Sequence, residues 1–334
     1  MILDLDHLID KVRRTVQSHA LEQTGAYARW LWQDKDNSRD LGSNEYGCAD
    51  AANIQYILGE LPRDAAQRQA RIDVLRSFQN PEDGLFHEKT HHAFHSTAHC
   101  TAALELFEAM PTYPLTGFDR FRSREGLEEL LAGLNWYHSP WDNSHQGAGV
   151  FAAMIITGNA PMQWQDWYFD WLSANTDPEY GMSLAGAIQN GTRPAYAHLN
   201  GWFHYMFNHH FAHRPFPKVE KLIDTCLKLY DNRELASNFG KNVGFHEIDW
   251  VFTLNRATMQ TGYRFAESRE ALRDFAGKFI PWLESVDENT SDEWNDLHML
   301  FGAVCAVAEL QIALPGELRS TYPLRQILDR RPFI

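Results

Sequence analysis

The chain has 334 residues, 44% hydrophobic and 22% charged, and a formal net charge of −14. A field of that sign repels phosphate backbones and no basic patch interrupts it, which argues against nucleic-acid binding. No run of about 18 apolar residues occurs, and the acidic N-terminus Met1–His7 lacks the pattern of a secretory signal, so a cytoplasmic protein without membrane association is expected.

The predicted elements, in chain order, are all helical and alternate between two kinds. Segment 4–32 is amphipathic; 46–59 is apolar on nearly every side and closes at Pro62. Segment 64–79 is amphipathic and 92–110 apolar, closing at Pro111; 119–137 is amphipathic and 145–158 apolar, closing at Pro161. The alternation continues with 162–175 and 196–212, closing at Pro215, then 217–231 and 246–262, closing at Gly262, then 267–286 and 295–314, closing at Pro315. The closing prolines are spaced by 49, 50, 54 and 100 residues, the last a double interval. A period near fifty residues marks a repeated supersecondary unit. Leu127, Leu130, Leu131 and Leu134 show the helical spacing of the one-faced kind. Helices apolar all round must be buried, whereas those with one polar face can meet water. Six of each in alternation predict an all-α, single-domain (α/α)6 toroid of six hairpins, with residues 316–334 as an extension packed on the ring.

Cys48, Cys100, Cys226 and Cys305 are far apart and form no C-x-x-C pair, which reads as free thiols. Aromatic residues make up 13%, including 11 Trp, a supply suited to a rich core or to a pocket that stacks on sugar faces.

The run Phe78-Gln-Asn-Pro-Glu-Asp-Gly-Leu-Phe86, leading into a helix with Ala102-Ala103-Leu104, resembles the Q-x-P-D-G-x-aromatic turn of terpenoid cyclases and protein prenyltransferases. Asn175–Gly181 is a weaker echo of it. The six-hairpin glycosidases and sugar 2-epimerases share the same ring. The resemblance implies the toroid over nearly the whole chain, with a pocket at its centre. The D-x-D-D acid motif of squalene cyclases is absent, as is an Asp…Cys…His set matching the prenyltransferase zinc site.

In such a ring the entrances to the buried helices line one mouth, where unpaired N–H groups and dipole ends favour polar ligands. The six entrances are polar for helices otherwise so apolar, and five carry a histidine. Asp50, His95, Asp142, His145, His198, His246, Asp249, Asp296 and His298 are the candidates for proton transfer. Asp142, Ser144 and Asp296 also suit N-caps. Tyr46, Trp141, Tyr196, Trp202, Trp250 and Trp294 are candidates to hold a substrate, with core packing as the alternative for the tryptophans. His91, His95 and His99 share one helical face and are the only metal candidates, against a hydrogen-bonded structural row; no metal and no organic cofactor is expected. These residues point to a carbohydrate-active acid–base enzyme on a small sugar: a lyase, an isomerase or epimerase, or a hydrolase. Two other readings stay open: a terpenoid-cyclase-like or dehydratase-like catalyst on a hydrocarbon, and a non-catalytic binding or scaffold ring.

Overall fold

A computed structural model describes residues 2–334. The chain runs β1 (Leu3–Asp4), α1 (Asp6–Ser18), α2 (Glu45–Leu58), α3 (Ala65–Ser77), α4 (Ala93–Leu106), a 3-10 helix (Thr116–Arg122), α5 (Arg124–Gly133) and α6 (Pro140–Ile156). It continues through α7 (Met162–Asn175), α8 (Ala187–Asn190), α9 (Ala195–Phe211), α10 (Val219–Asp231), α11 (His246–Thr261), α12 (Phe265–Ser285), α13 (Leu297–Ala313), β2 (Leu318–Arg319) and α14 (Ile327–Arg330). β1 and β2 pair in parallel, Leu3 opposite Leu318, and tie the first residues to the segment after α13.

Local chemistry sets several boundaries. The side chains of Asn44, Asp64, Ser123 and Asp296 accept backbone N–H bonds at the starts of α2, α3, α5 and α13, satisfying donors that a helix leaves orphaned. Pro140 opens α6, where its missing N–H costs nothing.

The two expected kinds of helix are distinct in burial. α4 buries all but two of its 14 residues and α13 all but three of 17. α1 buries five of 13 and α3 three of 13. The buried set makes contacts in sequence: α2 with α4, α4 with α6, α6 with α9, α9 with α11, α11 with α13, and α13 back to α2. The half-exposed helices lie against them, α1 and α3 on α2, α10 and α12 on α11, with α12 also touching α13 and α1.

Four boundaries differ from the sequence pattern. Segment 4–32 is helical only to Ser18; the remainder crosses to the far end of the chain, where Leu297 N donates to Arg29 O at 2.9 Å and the Asn295 amide bonds Leu31 and Trp32. These long-range backbone bonds replace the helical ones. Segment 119–137 divides at Ser123, which turns extended to cap α5. α6 starts at Pro140, ahead of the expected 145. α4 ends at Leu106, and Glu108 then takes a left-handed φ of 59°.

The two resembling turns are built alike. Gly84 N donates to Asn80 O at 2.9 Å, and Gly181 N to Asp177 O at 3.0 Å. Each glycine has positive φ, and each turn is closed by an isolated bridge, Gln79 with Phe86 and Thr176 with Leu184. Gln79 Nε2 also donates to Gly84 O and Tyr113 O, pinning the first turn to the segment after α4.

Beyond β2, α14 rests on α2 and α9, and residues 331–334 are buried. Asn208 Nδ2 donates to Pro332 O at 2.9 Å, and the Phe333 ring meets His95 and Phe207 edge-on at 5.0 and 5.7 Å. The Arg331 guanidinium donates to Asn53 Oδ1.

Candidate active site

The sequence places His91, His95 and His99 on one face of α4 and its entrance, and Tyr46 on α2 fills the space beside them. Its ring stacks on His91, His95 and His99 at 4.4, 5.7 and 4.9 Å and meets His298 edge-on at 4.7 Å. The Tyr46 hydroxyl bonds His95 Nδ1 and Ser96 Oγ. This fully buried phenol orients imidazoles and presents no face to a ligand.

Five imidazoles converge on one cavity of about 180 Å3: His91, His95, His145, His204 and His298. They come from four helices or their entrances, α4, α6, α9 and α13. Four of them have one nitrogen fixed by a bond to the protein: His91 Nδ1 by Thr90 Oγ1 at 2.8 Å, His95 by Tyr46, His204 Nδ1 by Ser144 Oγ at 2.8 Å, and His298 Nδ1 by Asp50 at 3.1 Å. Neither nitrogen of His145 bonds a described residue. Arg29, Asp142, Trp141 and Phe245 complete the polar and aromatic wall, and Ile334 supplies an apolar patch.

The electrostatics favour uncharged imidazoles. Burial pushes His204 down to about 3. Burial also outweighs the attraction of Asp50 at His298 and brings it down to about 4. His95 and His145 are held well below the usual histidine range by burial, with further repulsion between His95 and His145 and from His204 on His145. At neutral pH these imidazoles are uncharged proton acceptors, and burial makes them weaker bases than a free histidine.

Behind the cavity lies a second, sealed group. Asp50 is fully buried and accepts from His99 Nε2 at 2.8 Å and from His298 Nδ1. Burial opposes its ionisation, but the two imidazoles outweigh that and hold the carboxyl below the usual carboxylate range. Asp296 receives the Arg29 guanidinium on both oxygens at 2.9 Å and caps α13. It neutralises Arg29 rather than facing the cavity.

The remaining sequence candidates lie elsewhere. His246, half-buried, bonds the Asn200 amide at 2.6 Å and packs on Trp141 at 4.6 Å, beside the cavity, with Tyr196 edge-on at 6.3 Å. His198 is turned to Ser183 Oγ at 2.9 Å, away from the five imidazoles. Asp249 is sealed in the protein with both oxygens unpartnered, and burial raises it well above the usual range, which makes it a protonated core acid. Trp202, Trp250 and Trp294 are packing groups: Trp202 lies against Trp136 and Tyr205, Trp250 stacks on Tyr230, and Trp294 lies under the Lys11 ammonium. Of the six aromatic candidates, Trp141 is the one that lines the cavity.

Sequence reasoning missed Arg29, His204 and Ile334. Arg29 lies in the irregular part of a segment read as helix, and His204 lies beyond the first turn of α9, where no entrance pattern marks it. A wider cleft of about 550 Å3 on α10 and α12, lined by Tyr230, Phe239, Lys241, Asp274, Phe275 and Lys278, holds no comparable convergence of imidazoles. Convergent chemistry rather than size selects the smaller cavity.

No helix among the described residues is long and apolar enough to cross a membrane. Comparison with protein-family models, with curated proteins and with solved structures finds no match.

Proposed function

We propose that the chain is an (α/α)6 toroid whose central cavity performs acid–base catalysis on a small polar substrate, a monosaccharide or uronate being the class that fits. The single observation that carries this reading is the convergence of five imidazoles from four helical positions on one cavity. The return of α13 to α2 supports the ring.

The cavity is smaller than the roughly 300–1,000 Å3 of drug-sized sites. That favours a single sugar unit over a chain. Hydrolysis calls for two carboxylates flanking the bond, and Asp142 is the one carboxylate among the lining residues. Proton abstraction next to a carbonyl, ending in isomerisation or elimination, therefore suits the site better. In that reaction His145 takes the proton from carbon, and a second imidazole, His95 or His204, handles the proton of the neighbouring hydroxyl. Trp141 offers an aromatic face to the sugar ring.

The test is a thermal-shift screen with aldoses, ketoses, uronates and prenyl diphosphates, followed by proton exchange of any hit in deuterium oxide, read by NMR. A stabilising sugar that exchanges its α-proton supports the reading. A prenyl diphosphate that stabilises where no sugar does would overturn it.

A further inference from the structure

Asp50, His99 and His298, the last shared with the five-imidazole cavity, are the one group among the described residues whose metal-ligating atoms all lie within 4.8 Å of one another. They arrive from three helices, α2, α4 and α13. The two distances from the Asp50 carboxylate, 2.8 Å to His99 Nε2 and 3.1 Å to His298 Nδ1, match the spacing of donors that share an ion. Ligands about 2.0–2.2 Å from a metal stand about 2.8–3.1 Å apart at octahedral angles and about 3.3–3.6 Å apart at tetrahedral ones, so the match is to the octahedral spacing.

The surroundings fix the ligands. Tyr46 stacks on His99 and abuts His298 edge-on, so both rings are clamped by one aromatic group before any ion arrives. Phe245 closes the other side of His298 at 4.7 Å. Such an outer shell orients imidazole ligands and sets their affinity. Arg29, a cation that would repel an ion, is neutralised by its paired contact with Asp296. All three ligands are buried.

We infer that Asp50, His99 and His298 form a two-histidine, one-carboxylate site for a first-row divalent cation such as Zn2+, Fe2+ or Mn2+. The donor set suits these borderline ions better than Ca2+ or Mg2+, which prefer all-oxygen coordination. The site departs from the His91, His95 and His99 row that helical spacing alone suggests. Those three rings stack side by side, at 4.7 and 6.0 Å between neighbours, rather than closing around a point.

The inference stands independently of the acid–base reading, because its test requires no substrate. Protein purified without chelator is analysed by inductively coupled plasma mass spectrometry, then stripped with dipicolinate and titrated with Co2+. About one transition-metal ion per chain, visible ligand-field bands from bound Co2+, and a fall in melting temperature on stripping are expected. Asp50→Asn and His99→Ala should each lower the metal content at least tenfold, while His91→Ala leaves it unchanged. Metal-free protein that gives no Co2+ bands overturns the site, as does a folded Asp50→Asn variant that keeps its metal. The Co2+ titration of the wild-type chain decides the matter even where a substitution fails to fold.

Discussion

His145 is the lining imidazole with no hydrogen bond to a described residue, so its replacement removes chemistry without breaking a hydrogen bond. His145→Gln is expected to lower any turnover found in the screen by about 100-fold or more, the usual range for a general acid or base, with an unchanged melting temperature. Steady-state kinetics beside a thermal melt separates the two effects. Glu247 makes a different prediction. It is fully buried, accepts from Gly240 N at 3.0 Å, and burial raises it from 4.5 to about 7. The folded state therefore keeps this proton while the unfolded chain has lost it. Its stabilising contribution is complete below pH 4.5 and is lost as pH rises through 7. Glu247→Gln should abolish that loss, so the stability difference between variant and wild type changes by about 3 kcal/mol between pH 4 and 8, measured by urea denaturation.

At the scale of elements, the turn before α4 shows how a short motif fixes a long-range contact. A Cβ on Gly84 would stand 1.9 Å from Pro114 O, at a φ of +74°. Both sterics and backbone oppose a side chain there, so Gly84→Ala is expected to cost at least about 2 kcal/mol. A Cβ added to Gly133, at the end of α5, would meet nothing within 4 Å, so Gly133→Ala serves as the neutral control. Equal denaturation midpoints for the two variants would contradict this account of the turn. Gly181 repeats the geometry, with Leu222 N at 2.4 Å, which explains why the weaker echo at 175–181 occupies an equivalent turn despite its poor match in sequence.

At the scale of the molecule, the last residues bind the buried helices together. Phe333 is fully buried between His95 of α4 and Phe207 of α9, and Ile334 borders the cavity. Phe333→Ala is expected to cost about 3–5 kcal/mol, as truncation of a buried aromatic does. Its effect on ligand-induced thermal shifts would show whether this segment also shapes the cavity; unchanged stability would mean that the contact with α4 and α9 is dispensable. A single substitution here reports on helices more than a hundred residues away in sequence, which is why its role is invisible in the local pattern.

The alternation of helix types, the helix bounds from 162–175 onward, and the polar character of the buried helices' entrances were readable from the sequence, because burial imposes its periodicity locally and caps and prolines punctuate it. Asp50, His95, His145 and His298 were legible as candidates for the same reason. What the tertiary structure decided was direction and company. Helical spacing places a side chain on a face, but it does not say whether that face turns to a cavity, as at His145, or to a neighbouring loop, as at His198. Nor does it say that Asp296 is taken by Arg29, that Trp202, Trp250 and Trp294 are packing groups, or that Asp50 from α2 meets His298 from α13. Those outcomes depend on contacts between segments as much as 267 residues apart or more, which packing selects and no local pattern encodes.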